Sequence, residues 1–422
     1  MFMREDNAAS EKKAPFLIPG FGPLQGLRVL SSGNVIAAPY AAQLMGEMGA
    51  EVIHIERPGV GDIVRNEGRM NGVLPFWAAA ARNRLSMTLE LNMKVEESRA
   101  IFLELIRQSD IWIESLVWLE KLGITDEMVL EANPKIVILH VSGYGQKEFG
   151  GIPEICDRPC FDVIGQAFSG FMSIQGEEGK PYPVTKPTLN DYLTALFAVF
   201  GALTGYIKAK ETGKGEVVDL AQYEANAAIL GHFIMSYTSS GTMIPRTGNQ
   251  FTNAPYDIYE VAGGKYVAVG TLGKPLYERA LKAMDIDPDV HTFRECGVNL
   301  AAMNSEKGQE LDRVVRAWMK EHTAQEVENI FSKAKVPAAT VNTLAEFVKN
   351  EHCLSRNNII SYFDEESEKE VTGFNVVPKF KEQPGQIWRG APKLGQDTDR
   401  IMKELLGYTD EQINNLHEQK II

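Results

Sequence analysis

Cysteine is scarce in this chain: four residues in 422, namely Cys156, Cys160, Cys296 and Cys353. They are too few and too scattered for a disulfide framework, which fits a reducing cytoplasm. Cys156 and Cys160 form a C-x3-C pair with no second pair and no histidine nearby, so no metal site is expected. Positive charge is also short. With 43 Lys and Arg against 56 Asp and Glu, the net charge is −13. That excludes an extended nucleic-acid surface while leaving room for a local basic pocket. The best candidate for a membrane span, Tyr192 to Ile207, includes Thr and Gly and falls short of the roughly 20 apolar residues a span requires. The opening "MFMREDNAASEKKAPF" lacks the apolar core of a signal peptide. Several catalytic fingerprints are missing as well: no G-x-G-x-x-G, no Walker loop, no H-E-x-x-H and no G-x-S-x-G. What remains is a cytoplasmic protein with no nucleic-acid or membrane partner, 44% apolar and 23% charged.

Alternation organises the first third. "LRVL" and "EVIHIE" read as strands, with the helical spacing of "YAAQLMGEMGA" between them. The pattern continues through strand "RLSMTLEL", helix "EESRAIFLELIRQ", strand "DIWIES", helix "TDEMVLEAN" and strand "KIVILHVSGYG". Strands alternating with helices predict an α/β fold with a parallel, doubly wound sheet. Then come the helix "FDVIGQAFSGFMS", a long uncharged helix behind Asp191, and "EVVDLA" as a strand feeding another helix. From about 225 to 335 the texture changes to a hairpin, "YDIYEVAGGKYVAVGT", and the helix "KPLYERALKAMDI". This predicts a smaller α+β domain at 225–335, inserted in a Rossmann-like large domain made from 1–224 and 336–422. "AATVNTLAEFVKNE" and a final helix over "DTDRIMKELLGYTDEQINNLHEQKI" are expected to return to the large domain.

Two features carry chemistry. The first is Asp191 in "TLNDYLTALFAVFGALTGY", one carboxylate ahead of an uncharged helix. Asp is a preferred helix N-cap, and that is the plain explanation; a reactive carboxylate at a helix mouth is the alternative. The second is a set of cations at sheet-loop positions: Arg57 and Arg65, Arg82 and Arg84, and Lys121. Each alone reads as solvated surface charge. Together, near the strand ends where α/β sheets bind ligands, they suit a phosphorylated ligand.

The chain also resembles a known family. "FGPLQGLRVL", "GAEVIHIERPGVGD", "HVSGYGQ", "QAFSGFMS", "ETGKGEVVDLAQYE", "PRTGN" and "PKFKEQPGQIWRGAP" are together similar to the class III coenzyme A transferases. The carnitine and bile-acid (CaiB/BaiF) branch is the nearest in likeness, from about residue 21 onward. The resemblance implies a Rossmann-like large domain built from both chain ends, a small inserted domain, and two subunits interlocked as a homodimer. It implies that Asp191, in "TLNDYLTAL", is the family's helix-opening nucleophile. No permanently bound cofactor is implied; coenzyme A enters as part of an acyl-CoA substrate, with a carboxylic acid as its partner. For the coenzyme A site the resemblance points to Val35, Ile36 and Ala37 in "NVIAAP", to Arg57 after the second strand, to Lys121 where many members have Arg, and to Tyr144 in "SGYG". Arg84 joins this set from the cation cluster. Where some members carry a glycine-run lid, this chain reads "QFTNAPY".

The expected reaction is transfer of coenzyme A through an aspartyl anhydride and an aspartyl thioester. The helix N-terminus is expected to keep Asp191 ionised and to supply N–H groups to an oxyanion. Two alternatives stand beside it. A racemase or epimerase of the same superfamily resembles this chain but carries a His where this sequence has Phe161. A catalytically silent coenzyme A-binding protein would have no use for Asp191. The acyl group is open between a carnitine-type substrate, whose ammonium Trp77, Trp112 or Trp118 would face, and a bile-acid type.

Overall fold

The computed structural model describes residues 14–116 and 118–422. The N-terminal stretch through Lys13, read above for a signal sequence, lies outside the described residues. The chain divides into two compact units: Met1–Phe171, Val184–Met235 and Ser355–Ile422 form the first, Met172–Pro183 and Ser236–Leu354 the second.

The first unit is built on six strands: β1 (Arg28–Ser32), β2 (Glu51–Glu56), β3 (Leu85–Thr88), β4 (Ile111–Glu114), β5 (Val137–Ser142) and β6 (Glu216–Ala221). They lie in the order β3-β2-β1-β4-β5-β6, and every neighbouring pair is parallel. The order reverses between β1 and β4, which makes the carboxyl ends of these two strands the natural ligand crevice. Alternate side chains serve two cores because strand side chains point to opposite faces. Leu30, Ile53, Ile55, Trp112 and Ile138 join one core with Phe102 and Leu105 of the helix Glu96–Gln108. Val29, Val52, Ile111, Ile113, Val137 and Leu139 join the other, with alanines of the helices Ala37–Glu47 and Leu189–Thr212.

The Leu189–Thr212 helix sits close on the sheet because its inner face is small. Ala195, Ala198, Ala202, Gly205 and Ala209 are buried in it, and a Cβ on Gly205 would stand 2.9 Å from Val137. The helix runs longer than its uncharged core, so by length and composition it is able to cross a membrane. Its first turn nevertheless buries Asn190 and Asp191.

The carboxyl-terminal chain closes the β3 side. The Ser86 N–H donates to Asp397 Oδ2 at 2.9 Å and the Thr88 N–H to Thr398 Oγ1 at 2.9 Å. Ile421 and Ile422 end in the first core. The single final helix expected over 397–421 is instead broken. It runs as Thr398–Arg400, a wide turn Ile401–Leu405, and a new helix Asp410–Glu418. Gly407 takes a left-handed φ of 74°, and Thr409 and Gln412 form a fresh capping box. A hairpin of β10 (Ile359–Asp364) and β11 (Lys369–Phe374) precedes this segment.

The second unit holds an antiparallel sheet of β7 (Tyr256–Glu260), β8 (Tyr266–Gly270) and β9 (Ala338–Thr340) in that order. The helices Lys274–Ala283, Glu306–Glu321 and Ala324–Lys333 bury Tyr277, Leu281, Val315 and Phe331 with Tyr259 and Val267. The stretch 338–351, expected to return to the first unit, stays here. β9 pairs with β8, and Glu328 Oε1 accepts from both the N–H and the hydroxyl of Thr340 at 2.6 Å. The unit therefore runs from Ser236 to Leu354 rather than over 225–335 and takes in Met172–Pro183.

Candidate active site

Asp191 is not the cap of its helix. It is the third residue, behind Thr188, whose side chain makes no capping bond. The capping carboxylate comes from another helix, Asp162–Phe168. Asp162 Oδ1 accepts the N–H of Asn190 at 2.7 Å and that of Asp191 at 3.3 Å. Gln166, one turn further along that helix, steadies Asp162 by donating to its Oδ2 at 2.7 Å. Gln166 is anchored in turn on the backbone of Thr185, giving 3.1 Å to its carbonyl and accepting its N–H at 3.0 Å. With the capping role filled, the Asp191 carboxylate turns to Gln222, whose Nε2–H donates to Asp191 Oδ1 at 2.9 Å. Gln222 opens the helix Gln222–Ala228 directly after β6.

Asp191 keeps only 5% of its surface exposed. Burial, followed by the charge of Asp162, pushes its carboxyl up to about 7 against the pull of the Gln222 hydrogen bond. The expectation that the helix terminus holds Asp191 ionised is thereby corrected: burial and the Asp162 charge favour the protonated form, and the N–H groups of Asn190 and Asp191 face Asp162 instead. Cys160 also lies in the field of Asp191, and burial together with that charge pushes its thiol up to about 11. It is a protonated neighbour, not a rival nucleophile.

Aromatic contacts gather the surrounding elements. Tyr144, beyond β5, meets Phe168 of the Asp162 helix edge-on with centroids 4.9 Å apart, and Phe168 meets Tyr223, next to Gln222, at 5.0 Å. Tyr40 of the Ala37–Glu47 helix stands edge-on to Tyr192 at 5.0 Å, which ties the loop after β1 to the Asp191 helix.

That loop holds Val35, Ile36 and Ala37. Val35 has a φ of 71°, costly for a β-branched residue. Its N–H is held at 3.2 Å from both oxygens of Asp62. Asp62 is itself braced: its N–H donates to Glu56 at 3.0 Å, and Arg65 grips Glu56 through two bonds of 2.7 Å. Ile36 and Ala37 are buried as the helix begins.

The cations separate. Arg57 is exposed and paired with Glu90 at 3.0 Å. Lys121 is exposed and stands 3.9 Å over the Trp118 ring, where that ring is also exposed. Arg84 does not belong with them. It is 1% exposed and donates to the carbonyls of Pro39 and Ala80, so its guanidinium supports the loop from within and cannot meet a phosphate in solvent. Arg65 and Arg82 are likewise spent on Glu56 and Glu47. The sequence reading missed Asp162, Gln166, Gln222 and Asp62. Of these, only Asp162 and Gln166 left a trace, an i, i+4 spacing on one helix face.

A parallel sheet with a carboxylate at a helix mouth and a strained loop at its switch point defines an α/β enzyme-like site. Comparison with known proteins makes this specific. The family described as CoA-transferase family III matches residues 24–398. The bile acid CoA-transferase BaiK of Clostridium scindens (strain JCM 10418 / VPI 12708) is 37% identical over 412 residues, covering 96% of this chain and 90% of that protein. Two solved structures share the fold. One is a CAIB/BAIF family protein from Brucella suis, with a TM-score of 0.75, 23% identity, and 91% of this chain and 100% of that one covered. The other is Rv3272 from Mycobacterium tuberculosis in its orthorhombic form, with a TM-score of 0.75, 18% identity, and 90% and 99% covered. The chain belongs to the class III CoA-transferases; it is a CoA-transferase, with an acyl-CoA and a carboxylic acid as its substrates.

Proposed function

We propose that Asp191 is the nucleophile of this transfer and that the acyl group is of the bile-acid type. The observation that carries the first part is the release of Asp191 from capping. Asp162 accepts the N–H groups of Asn190 and Asp191, and among the described residues the buried Asp191 carboxylate is held at one oxygen only, by Gln222. Its carboxylate attacks the thioester carbonyl, the C–S bond breaks, and a mixed anhydride and the coenzyme A thiolate result. The thiolate then attacks the aspartyl carbon, the first acid leaves, and an aspartyl thioester remains. The acceptor acid reverses both steps. No ATP is consumed, because each high-energy bond is exchanged for another.

The bile-acid assignment rests on the 37% identity to BaiK; no comparable observation favours a carnitine-type substrate. The loop Val35–Ala37, Arg57, Lys121 and Tyr144 are assigned to coenzyme A, Arg57 and Lys121 being exposed cations fit for phosphate. Phe161 is 60% exposed and offers no base, which argues against proton abstraction. The protein is further assigned to the cytoplasm as an interlocked homodimer. The outer face of the Asp191 helix supports the dimer by exposing Leu196, Phe200 and Ile207 at 57, 69 and 58%, an apolar stripe that a soluble monomer rarely leaves open. A compact monomer in sedimentation at micromolar concentration would exclude it.

The function is tested by incubating wild type and Asp191→Asn with acetyl-CoA, crotonobetainyl-CoA or cholyl-CoA and a panel of acids. Transfer from cholyl-CoA, with an adduct on the Asp191 peptide of the wild type alone, is expected. An Asp191→Asn variant that transfers at near wild-type rate would return the residue to a structural role, and preference for crotonobetainyl-CoA would overturn the substrate assignment.

A further inference from the structure

We propose that the Gln222 side-chain amide is the oxyanion donor for the steps that take place at the aspartyl carbon, and that it leaves Oδ2 as the attacking oxygen. The inference rests on Asp191 being the nucleophile.

Three observations converge on Gln222. First, two of the donors a helix mouth would ordinarily offer are taken: Asp162 Oδ1 already accepts the N–H groups of Asn190 and Asp191. The donor that meets the Asp191 carboxylate comes from another element. Second, Gln222 Nε2 stands 2.9 Å from Asp191 Oδ1, and among the described residues Oδ2 has no hydrogen-bond partner. The two oxygens are therefore inequivalent before substrate arrives. Third, the amide is committed to this one task. Gln222 is 8% exposed, and its Oε1 is enclosed with no partner among the described residues. Nothing else in the fold explains turning a buried amide so that its N–H meets a carboxylate while its oxygen goes unpaired, an arrangement that costs stability.

The chemistry follows from which oxygen is held. In the first step Oδ2 attacks the thioester carbonyl and becomes the bridging oxygen of the anhydride. Oδ1 becomes the aspartyl carbonyl oxygen, still facing Gln222. In the second step the thiolate sulfur bonds to Cγ, and the Cγ=Oδ1 π pair moves onto Oδ1. The full negative charge then sits on the oxygen that the Gln222 N–H already meets. The pair returns, the Cγ–Oδ2 bond breaks, and the first acid departs as its carboxylate with Oδ2. Attack of the acceptor carboxylate on the thioester passes through the same charge on Oδ1. Gln222 thus acts chiefly in the two steps at Cγ; in the first step, at the thioester carbonyl, Oδ1 gives up carboxylate charge as Oδ2 bonds, and in the last step it regains that charge as Asp191 leaves. Removing a single oxyanion donor lowers kcat by about 10²–10³ in comparable sites.

Gln222→Met and Gln222→Leu, both close in volume and unable to donate, are the test. Wild type and variants are mixed with cholyl-CoA, or with whichever panel thioester the wild type turns over, and are quenched at intervals for mass analysis of the Asp191 peptide. Free thiol is followed in parallel. The expected result is thiol release at near wild-type rate, accumulation of the acyl mass on the peptide, and loss of the coenzyme A mass. Steady-state kcat falls about 100-fold or more, with KM for the thioester within about threefold. Variants that transfer within threefold of wild type overturn the inference, as do variants that slow thiol release as much as turnover. An adduct missing from the wild type itself sinks the nucleophile assignment, and the inference with it.

Discussion

Replacing Asp191 by Asn should make the protein more stable at alkaline pH while removing its activity. The carboxyl is raised from an ordinary 3.8 to about 7, first by burial and then by Asp162. Ionising it in the folded chain is therefore harder than in the unfolded chain by about 4 kcal/mol, at 1.36 kcal/mol per pH unit. The sign follows from proton binding. Between pH 3.8 and about 7 the folded chain holds a proton that the unfolded chain releases, so stability is full below that window and is lost as pH rises through it. Asn never ionises and escapes the loss. Its Oδ1 still accepts from Gln222, although a bond to a neutral acceptor gives up about 1 kcal/mol relative to a charged one. The balance is a gain of about 2–3 kcal/mol at pH 8, shrinking to about zero near pH 4. The assay is urea unfolding of both chains at one protein concentration from pH 4 to 8.5, since association would otherwise shift the midpoints. The difference should climb between pH 4 and 7 and then level off. A difference that is flat with pH, or a variant less stable than wild type at pH 8, would refute the account of a buried, charge-crowded carboxylate. A gain in stability on deleting a functional group is the common signature of an active site that strains its own fold.

Three further outcomes are expected. Asp162→Asn keeps an acceptor for the helix N–H groups but removes the charge beside Asp191, so the acid limb of kcat/KM, expected near pH 7 in the wild type, should move to lower pH; Cys160 and Tyr192, the other titratable neighbours of Asp191, are untouched, and an unmoved limb would mean that Asp162 does not act on Asp191. His140 lies between Glu114 at 2.6 Å and Asp126 at 3.0 Å, and these partners raise it to about 10 despite burial; its contribution is present in full below about 6.5 and is lost as pH climbs toward 10, so the thermal midpoint of wild type should fall over that range more than that of His140→Gln, and parallel curves would count against a charged His140. Lys121→Ala should raise KM for the acyl-CoA several-fold at low salt and flatten its salt dependence with little change in kcat, whereas Arg84→Met should act on stability; salt-independent binding in wild type would remove Lys121 from the coenzyme A site.

Local signals and spatial ones were legible to different degrees. The helix Glu96–Gln108 and the strands β2 and β6 match their expected spans, because apolar periodicity is a property of neighbouring residues. Asp191 was legible for the same reason, as a single carboxylate ahead of an uncharged helix. Its release from capping was not, because the carboxylate that caps in its place, Asp162, lies 29 residues away in sequence. Arg84 shows the opposite error: read from the sequence as a surface cation, it lies in a buried stretch and donates to the carbonyls of Ala80 and Pro39.

The sequence by itself determined the alternating elements, the parallel sheet and the family to which the chain belongs, since these rest on composition, periodicity and ordered phrases that survive without coordinates. Tertiary structure alone decided what each charged group does. Whether a carboxylate caps, pairs or is left free depends on which distant N–H or amide stands within 3 Å of it, and on how much water the fold has removed. At Asp191 those two quantities, the borrowed cap from Asp162 and the bond from Gln222 to a buried carboxylate, are what the proposed attack on a thioester rests on.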